Sequence, residues 1–107
     1  MNNEDKKDRR EYERFLFRED ILIDGARMCT SMDISEIGLY ISAMQSYENN
    51  SVIDITIPFK GGKLTVKARV RHCQPGIGMG FMFVDLNAEQ RAKIKELIES
   101  LIKNPGQ

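Results

Sequence analysis

Apolar and polar residues alternate along most of the chain, and the period changes once, near the C-terminus. Leu16 to Asp24 is a strand candidate that ends at the turn pair Asp24-Gly25. Arg27 to Ile34 is a second. Ile37, Leu39 and Ile41, interleaved with Gly38, Tyr40 and Ser42, form a third. Glu48-Asn49-Asn50-Ser51 reads as a turn or loop. Ile53, Ile55 and Ile57 then alternate with Asp54, Thr56 and Pro58, and Gly61-Gly62, flanked by Lys60 and Lys63, predicts a two-residue hairpin loop. The return strand is the clearest. Leu64, Val66, Ala68 and Val70 face one way, Lys63, Thr65, Lys67, Arg69 and Arg71 the other, and His72 continues the parity of the apolar set. Beyond Pro75-Gly76, Ile77, Met79, Phe81 and Phe83 make a sixth strand. Its interleaved Gly78, Gly80, Met82 and Val84 predict cover on both faces.

The period then lengthens. Ile94, Leu97, Ile98, Leu101 and Ile102 follow the i, i+3, i+4, i+7, i+8 spacing of one helix face. Asn87 is placed to cap that helix with Gln90 three residues on, and Asn104-Pro105-Gly106 is placed to stop it. Six short antiparallel strands leave exposed edges unless the sheet closes on itself. The predicted fold is therefore mostly β: a six-stranded antiparallel β-barrel over residues 15–104, with a C-terminal α-helix packed across one mouth or side.

Length and charge narrow the function classes. A chain of 107 residues holds one modest core. Lys+Arg and Asp+Glu are 16 each, so the net charge is zero, which argues against a general nucleic-acid binder. No apolar run approaches the ~20 residues that span a bilayer, and Met1 to Arg10 is too charged for a secretory signal. A cytoplasmic chain without membrane insertion is expected. Cys29 and Cys73 make no disulfide framework and are expected to be reduced, structural thiols. Residues 1–20 carry 13 charged side chains, and no apolar stripe runs through residues 1–11. Residues 1–14 are read as a flexible, solvated arm.

Enzyme chemistry has little support. The one histidine, His72, adjoins Cys73 on a strand, so the two side chains point to opposite faces and form no nucleophile–base pair. There is no CxxC and no second His for a metal. Gly76 to Gly80 is glycine-rich but is followed by a strand, with neither the Lys nor the helix of a phosphate loop. No cofactor is expected.

Two polar clusters remain. Arg9-Arg10-Glu11-Tyr12-Glu13-Arg14 places guanidiniums at 9, 10 and 14, just before the first strand. Asp33-Ile34-Ser35-Glu36-Ile37-Gly38 joins the second strand to the third. Singly, the first reads as a solvated charged arm and the second as a polar turn. Together, Arg-xxx-Arg followed by Asp-x-Ser-x-x-Gly resembles the PilZ domain family, bacterial receptor domains for cyclic di-GMP. The resemblance extends over nearly the whole chain, to the split-barrel fold, the C-terminal helix and a Gly-x-x-Phe-like final strand, Gly78-Met79-Gly80-Phe81.

The resemblance implies ligand-binding roles for Arg9, Arg10, Arg14, Asp33, Ser35 and Gly38. The residue types suit the ligand. A guanidinium meets guanine O6 and N7, or a phosphate, with two parallel hydrogen bonds. A carboxylate accepts the N1–H and N2–H of guanine, a serine hydroxyl can donate or accept, and glycine permits close backbone approach. In the family, an arginine at the position of Arg9 goes with a stacked pair of cyclic di-GMP molecules. Some relatives carry a base-stacking aromatic near the position of Arg71, His72 and Cys73, where this chain has none. The implied output is an arm that orders on binding and signals to an unidentified partner protein, with no DNA or RNA involved. A PilZ-like adaptor that binds no nucleotide is the alternative, although such relatives generally lack the arginine motif. A nucleic-acid barrel using Lys63, Lys67, Arg69 and Arg71 lacks the interleaved aromatics of a stacking platform.

Overall fold

A computed structural model describes residues 13–42, 47–74 and 76–103. The strands are β1 (Phe15–Leu16), β2 (Asp20–Ile23), β3 (Arg27–Ile34), β4 (Gly38–Ser42), β5 (Val52–Phe59), β6 (Gly62–Gln74) and β7 (Gly78–Val84), and the helix α1 is Ala88–Lys103. All pairings are antiparallel. Six strands close in the order β3-β2-β5-β6-β7-β4 and back to β3. The short β1 extends the β2 edge along the far half of β3, so β1 and β2 are two pieces of the single first strand that the alternation predicts.

That strand is broken by a bulge. Leu16 pairs with Asp33 and Asp20 with Thr30, which leaves three residues, Phe17 to Glu19, facing two, Ser31 and Met32. Ser31 is fully buried and stitches the gap. Its hydroxyl donates to the Phe17 carbonyl at 2.6 Å and accepts the Glu19 N–H at 2.9 Å. Phe17 and Ile21, on either side of the gap, both point inward and are buried.

The inward set is close to that expected from alternation. Ile21, Ile23, Ile34, Leu39, Ile41, Ile55, Ile57, Val66, Val70 and Met79 are sealed from solvent. The β2–β3 hairpin turns at Asp24-Gly25 (φ 51° and 69°), the doubly left-handed pair that matches strand twist. The β5–β6 hairpin turns one residue earlier than predicted, at Lys60-Gly61 (φ 48° and 76°), with Phe59 paired to Gly62. A loop at Gly61-Gly62 would also set inward residues opposite inward ones, so alternation does not distinguish the two registers. The observed one sets Thr56 opposite Thr65, with their hydroxyls 2.9 Å apart, and Asp54 opposite Lys67, its ion-pair partner at 3.4 Å.

Helix α1 begins in the predicted capping box. Gln90 N–H donates to Asn87 Oδ1 at 2.7 Å, and Asn87 N–H to Gln90 Oε1 at 2.9 Å. Gln90 Nε2 also donates to the Thr65 carbonyl of β6 at 3.0 Å. Ile94, Leu97 and Ile98 are buried and Leu101 packs partly against the core, but Ile102, expected on the same face, is 56% exposed. Burying each of the three is worth on the order of 2 kcal/mol. The exposed Lys60–Glu96 ion pair to the β5–β6 hairpin contributes about 0.5 kcal/mol. Apolar burial therefore holds the helix on the barrel. The proposed helix stop lies outside the described residues. Among the described residues, no helix is long and apolar enough to cross a membrane.

Candidate functional site

Antiparallel register brings the two sequence clusters together. Phe15 pairs with Ile34 and Leu16 with Asp33, so Arg14, one residue before β1, projects from the same face as Asp33. Arg14 Nε donates to Asp33 Oδ1 at 2.5 Å across 19 residues of chain. The pair is half-exposed, with side chains 45% and 34% accessible. Such a pair is worth only about 0.2–1 kcal/mol, so its groups can be redirected to a ligand at small cost. Arg9 and Arg10 lie outside the described residues.

The loop after Asp33 is closed by its own serine. Ser35 is fully buried, its hydroxyl accepts the Ile37 N–H at 3.2 Å, and its N–H donates to the Gly38 carbonyl at 2.9 Å. Gly38 is needed for packing. A Cβ there would sit 2.1 Å from the Phe81 carbonyl oxygen of β7, and nothing in its φ calls for glycine. The close approach expected at this residue is thus made to the neighbouring strand.

Outward-facing residues form one row across the strands. Leu16 of β1 pairs with Asp33 of β3, Asp33 with Tyr40 of β4, Tyr40 with Gly80 of β7, and Gly80 with His72 of β6. His72 belongs to this outer row because β6 has its own bulge. Val70 pairs with Phe81 and His72 with Gly80, leaving Arg71 as an extra residue. Parity reverses there. His72 is exposed on the outside, against the inward or rim position that strand parity predicts, and Cys73 turns toward the core. Beside the row lies a recess of about 330 Å³ whose lining includes Arg14, Tyr40, Arg71, His72, Gly80 and Met82. Among the described residues, its lining carries two arginines and no carboxylate, which suits an anion that also offers an apolar face.

Tyr40 was not distinguished by the sequence motifs, although its outward parity opposite a glycine-rich strand marks it. Its ring lies along β7. A Cβ on Gly78 would come within 2.7 Å of the ring, and one on Gly80 within 3.6 Å.

The remaining candidates are accounted for elsewhere. Lys67 pairs with Asp54, and Arg69 Nη1 donates to the Asn50 carbonyl at 3.1 Å, which engages half of the basic strand face. Cys29 and Cys73 are unpaired thiols packed partly against the core. Burial pushes the Cys29 thiol up from its ordinary range, opposed by the weaker pull of Arg27. No group of three metal-ligating side chains occurs among the described residues. A larger cleft of about 430 Å³, between α1 and the β5–β6 hairpin, is lined among the described residues by Glu19, Lys60 and Glu96 but by no arginine.

Comparison with known proteins agrees with this architecture. The PilZ domain family model matches residues 8–100. The PilZ domain of CeSA from a cellulose-synthesizing bacterium superposes with TM-score 0.68 at 20% identity, covering 84% of this chain and 98% of that one. The Bacillus subtilis inhibitor of motility (MotI/DgrA) does so with TM-score 0.70 at 17% identity, over 90% of this chain and 52% of that one. Borreliella burgdorferi PlzA, in complex with c-di-GMP, gives TM-score 0.61 at 14% identity, over 87% and 42%. No curated protein matches the chain in sequence. The family match spans both the arginine and the Asp-x-Ser-x-x-Gly segments, the closed barrel and most of the helix: the chain belongs to the PilZ domain family.

Proposed function

We propose that this PilZ domain is a cyclic di-GMP receptor that gathers the arginines of residues 1–14 around the ligand and passes the signal to a partner protein. The reading rests on one observation above the others. Arg14 and Asp33, from two motifs far apart in sequence, meet beside a recess whose lining, among the described residues, has two arginines and no carboxylate. The family is a cyclic di-GMP receptor family, and the PlzA relative is in complex with that ligand. In the proposed complex, Asp33 accepts from the N1–H and N2–H edge of one guanine. Arg14, with Arg9 and Arg10, reads guanine N7 and O6 or a phosphate. Ser35 and Gly38 hold the loop that presents Asp33. Ordering the arm creates the surface that a partner reads. The role is regulatory, with no catalytic step and no cofactor.

Isothermal titration with cyclic di-GMP, with GTP and cyclic GMP as controls, tests this. Saturable binding of cyclic di-GMP alone is expected, at two ligands per chain if Arg9 supports a stacked pair. Arg14→Ala and Asp33→Ala should abolish it while the melting temperature holds. No heat and no thermal stabilisation at high ligand concentration would reject the receptor reading in favour of an adaptor that binds protein alone.

A further inference from the structure

We infer that Tyr40 is a base-binding residue, the stacking platform for the guanine whose edge Asp33 holds; this rests on the receptor reading. Tyr40 is the direct cross-strand partner of Asp33 on the outside of the barrel. Side chains in that relation have Cβ atoms about 5 Å apart. A purine whose Watson–Crick edge meets Asp33 therefore has its face within reach of the Tyr40 ring. The ring's position is set by β7. A Cβ on Gly78 would collide with both ring and hydroxyl, and one on Gly80 would only touch the ring, so the glycine at 78 is what lets the ring lie on the strand. Tyr40 thus lies along the strand beside the recess, with Arg14 and Arg71 in the same lining to meet the ligand's phosphates. A tyrosine is rigid about two side-chain torsions and loses little freedom on contact, and every purine offers it a π-face.

Covering strand glycines with an aromatic ring is also a purely structural device, so the test needs a readout that packing alone would not move. In protein labelled on its tyrosine rings, cyclic di-GMP should shift the Tyr40 ring protons upfield by the ring current of a stacked purine. Tyr40→Phe, which keeps the ring, should bind within about twofold of wild type, and Tyr40→Leu about tenfold or more weaker. Unmoved Tyr40 resonances at saturation overturn the inference, even if Tyr40→Leu fails to fold. So does a folded Tyr40→Leu that binds as wild type while Arg14→Ala does not bind; that outcome removes Tyr40 and leaves the receptor reading intact. A wild-type protein that takes up no cyclic di-GMP removes both.

Discussion

The Ser31 hydroxyl donates to the Phe17 carbonyl at 2.6 Å, inside the bulge that sets β1 against β3. Because β1 carries Arg14 to Asp33, a core hydroxyl governs the geometry of a surface ion pair. Ser31→Ala leaves the Phe17 carbonyl and the Glu19 N–H without this partner in a buried place. It should cost about 1–3 kcal/mol in urea unfolding and weaken cyclic di-GMP binding as β1 loosens. An unfolding midpoint equal to wild type would contradict the first expectation, and unchanged affinity the second.

Gly38→Ala should be severely destabilising although Gly38 belongs to the ligand motif. The new methyl would lie 2.1 Å from a backbone oxygen of β7, and strand backbone cannot step aside as a flexible side chain can. The expected cost is about 3 kcal/mol, read from thermal melts. A protein that melts like wild type yet loses ligand would instead mean that the glycine serves the ligand directly.

Arg14→Lys should leave stability within about 0.5 kcal/mol of wild type, because the ion pair with Asp33 is half-exposed. Cyclic di-GMP binding should nevertheless fall nearly as far as in Arg14→Ala, since an ammonium offers a point charge and no fork. Calorimetry on both variants checks this; full rescue by lysine would reduce the role of Arg14 to charge alone.

Burial raises the Cys29 pKa, so the folded chain holds that proton after the unfolded chain has released it. The stabilisation is fully present below the unfolded thiol pKa and is lost as pH rises through the folded one. In Cys73→Ser protein, where Cys29 is the only thiol, iodoacetamide at pH 8 should react more slowly with native than with urea-unfolded chain. The melting temperature should also decline from about pH 8 upward more steeply than in a Cys29→Ser, Cys73→Ser control. Equal alkylation rates would place the thiol in solvent.

Most of the fold was legible because alternation reports which face of a strand meets the core. The Arg27–Ile34 strand, the inward set of β5 and β6 and the Asn87–Gln90 box all follow from local pattern. What alternation could not show is where the count slips. The bulges at Phe17 to Glu19 and at Arg71 each add a residue whose only cause is the fit of neighbouring strands. The β5–β6 register lay between two choices of equal parity. At the site, Asp33 and Arg14 were legible as motif members. Their contact needed the β1–β3 register, and the place of Tyr40 needed two further pairings. Ser35 was legible as a loop residue; its complete burial was not.

The extra residue at Arg71 stands outside the alternation of β6, so the strand on either side of it keeps its pairing whether or not it is there. Deleting that one residue would restore plain alternation, leaving His72 opposite Gly80 on the outside and Cys73 toward the core, and would take one of the two arginines from the recess with no change to Asp33 or Tyr40. Within this architecture, a charged side chain can be added to or taken from that wall by a single insertion or deletion that leaves the neighbouring pairings in place. Chain length, as well as side-chain identity, is then a variable through which such a pocket can diversify.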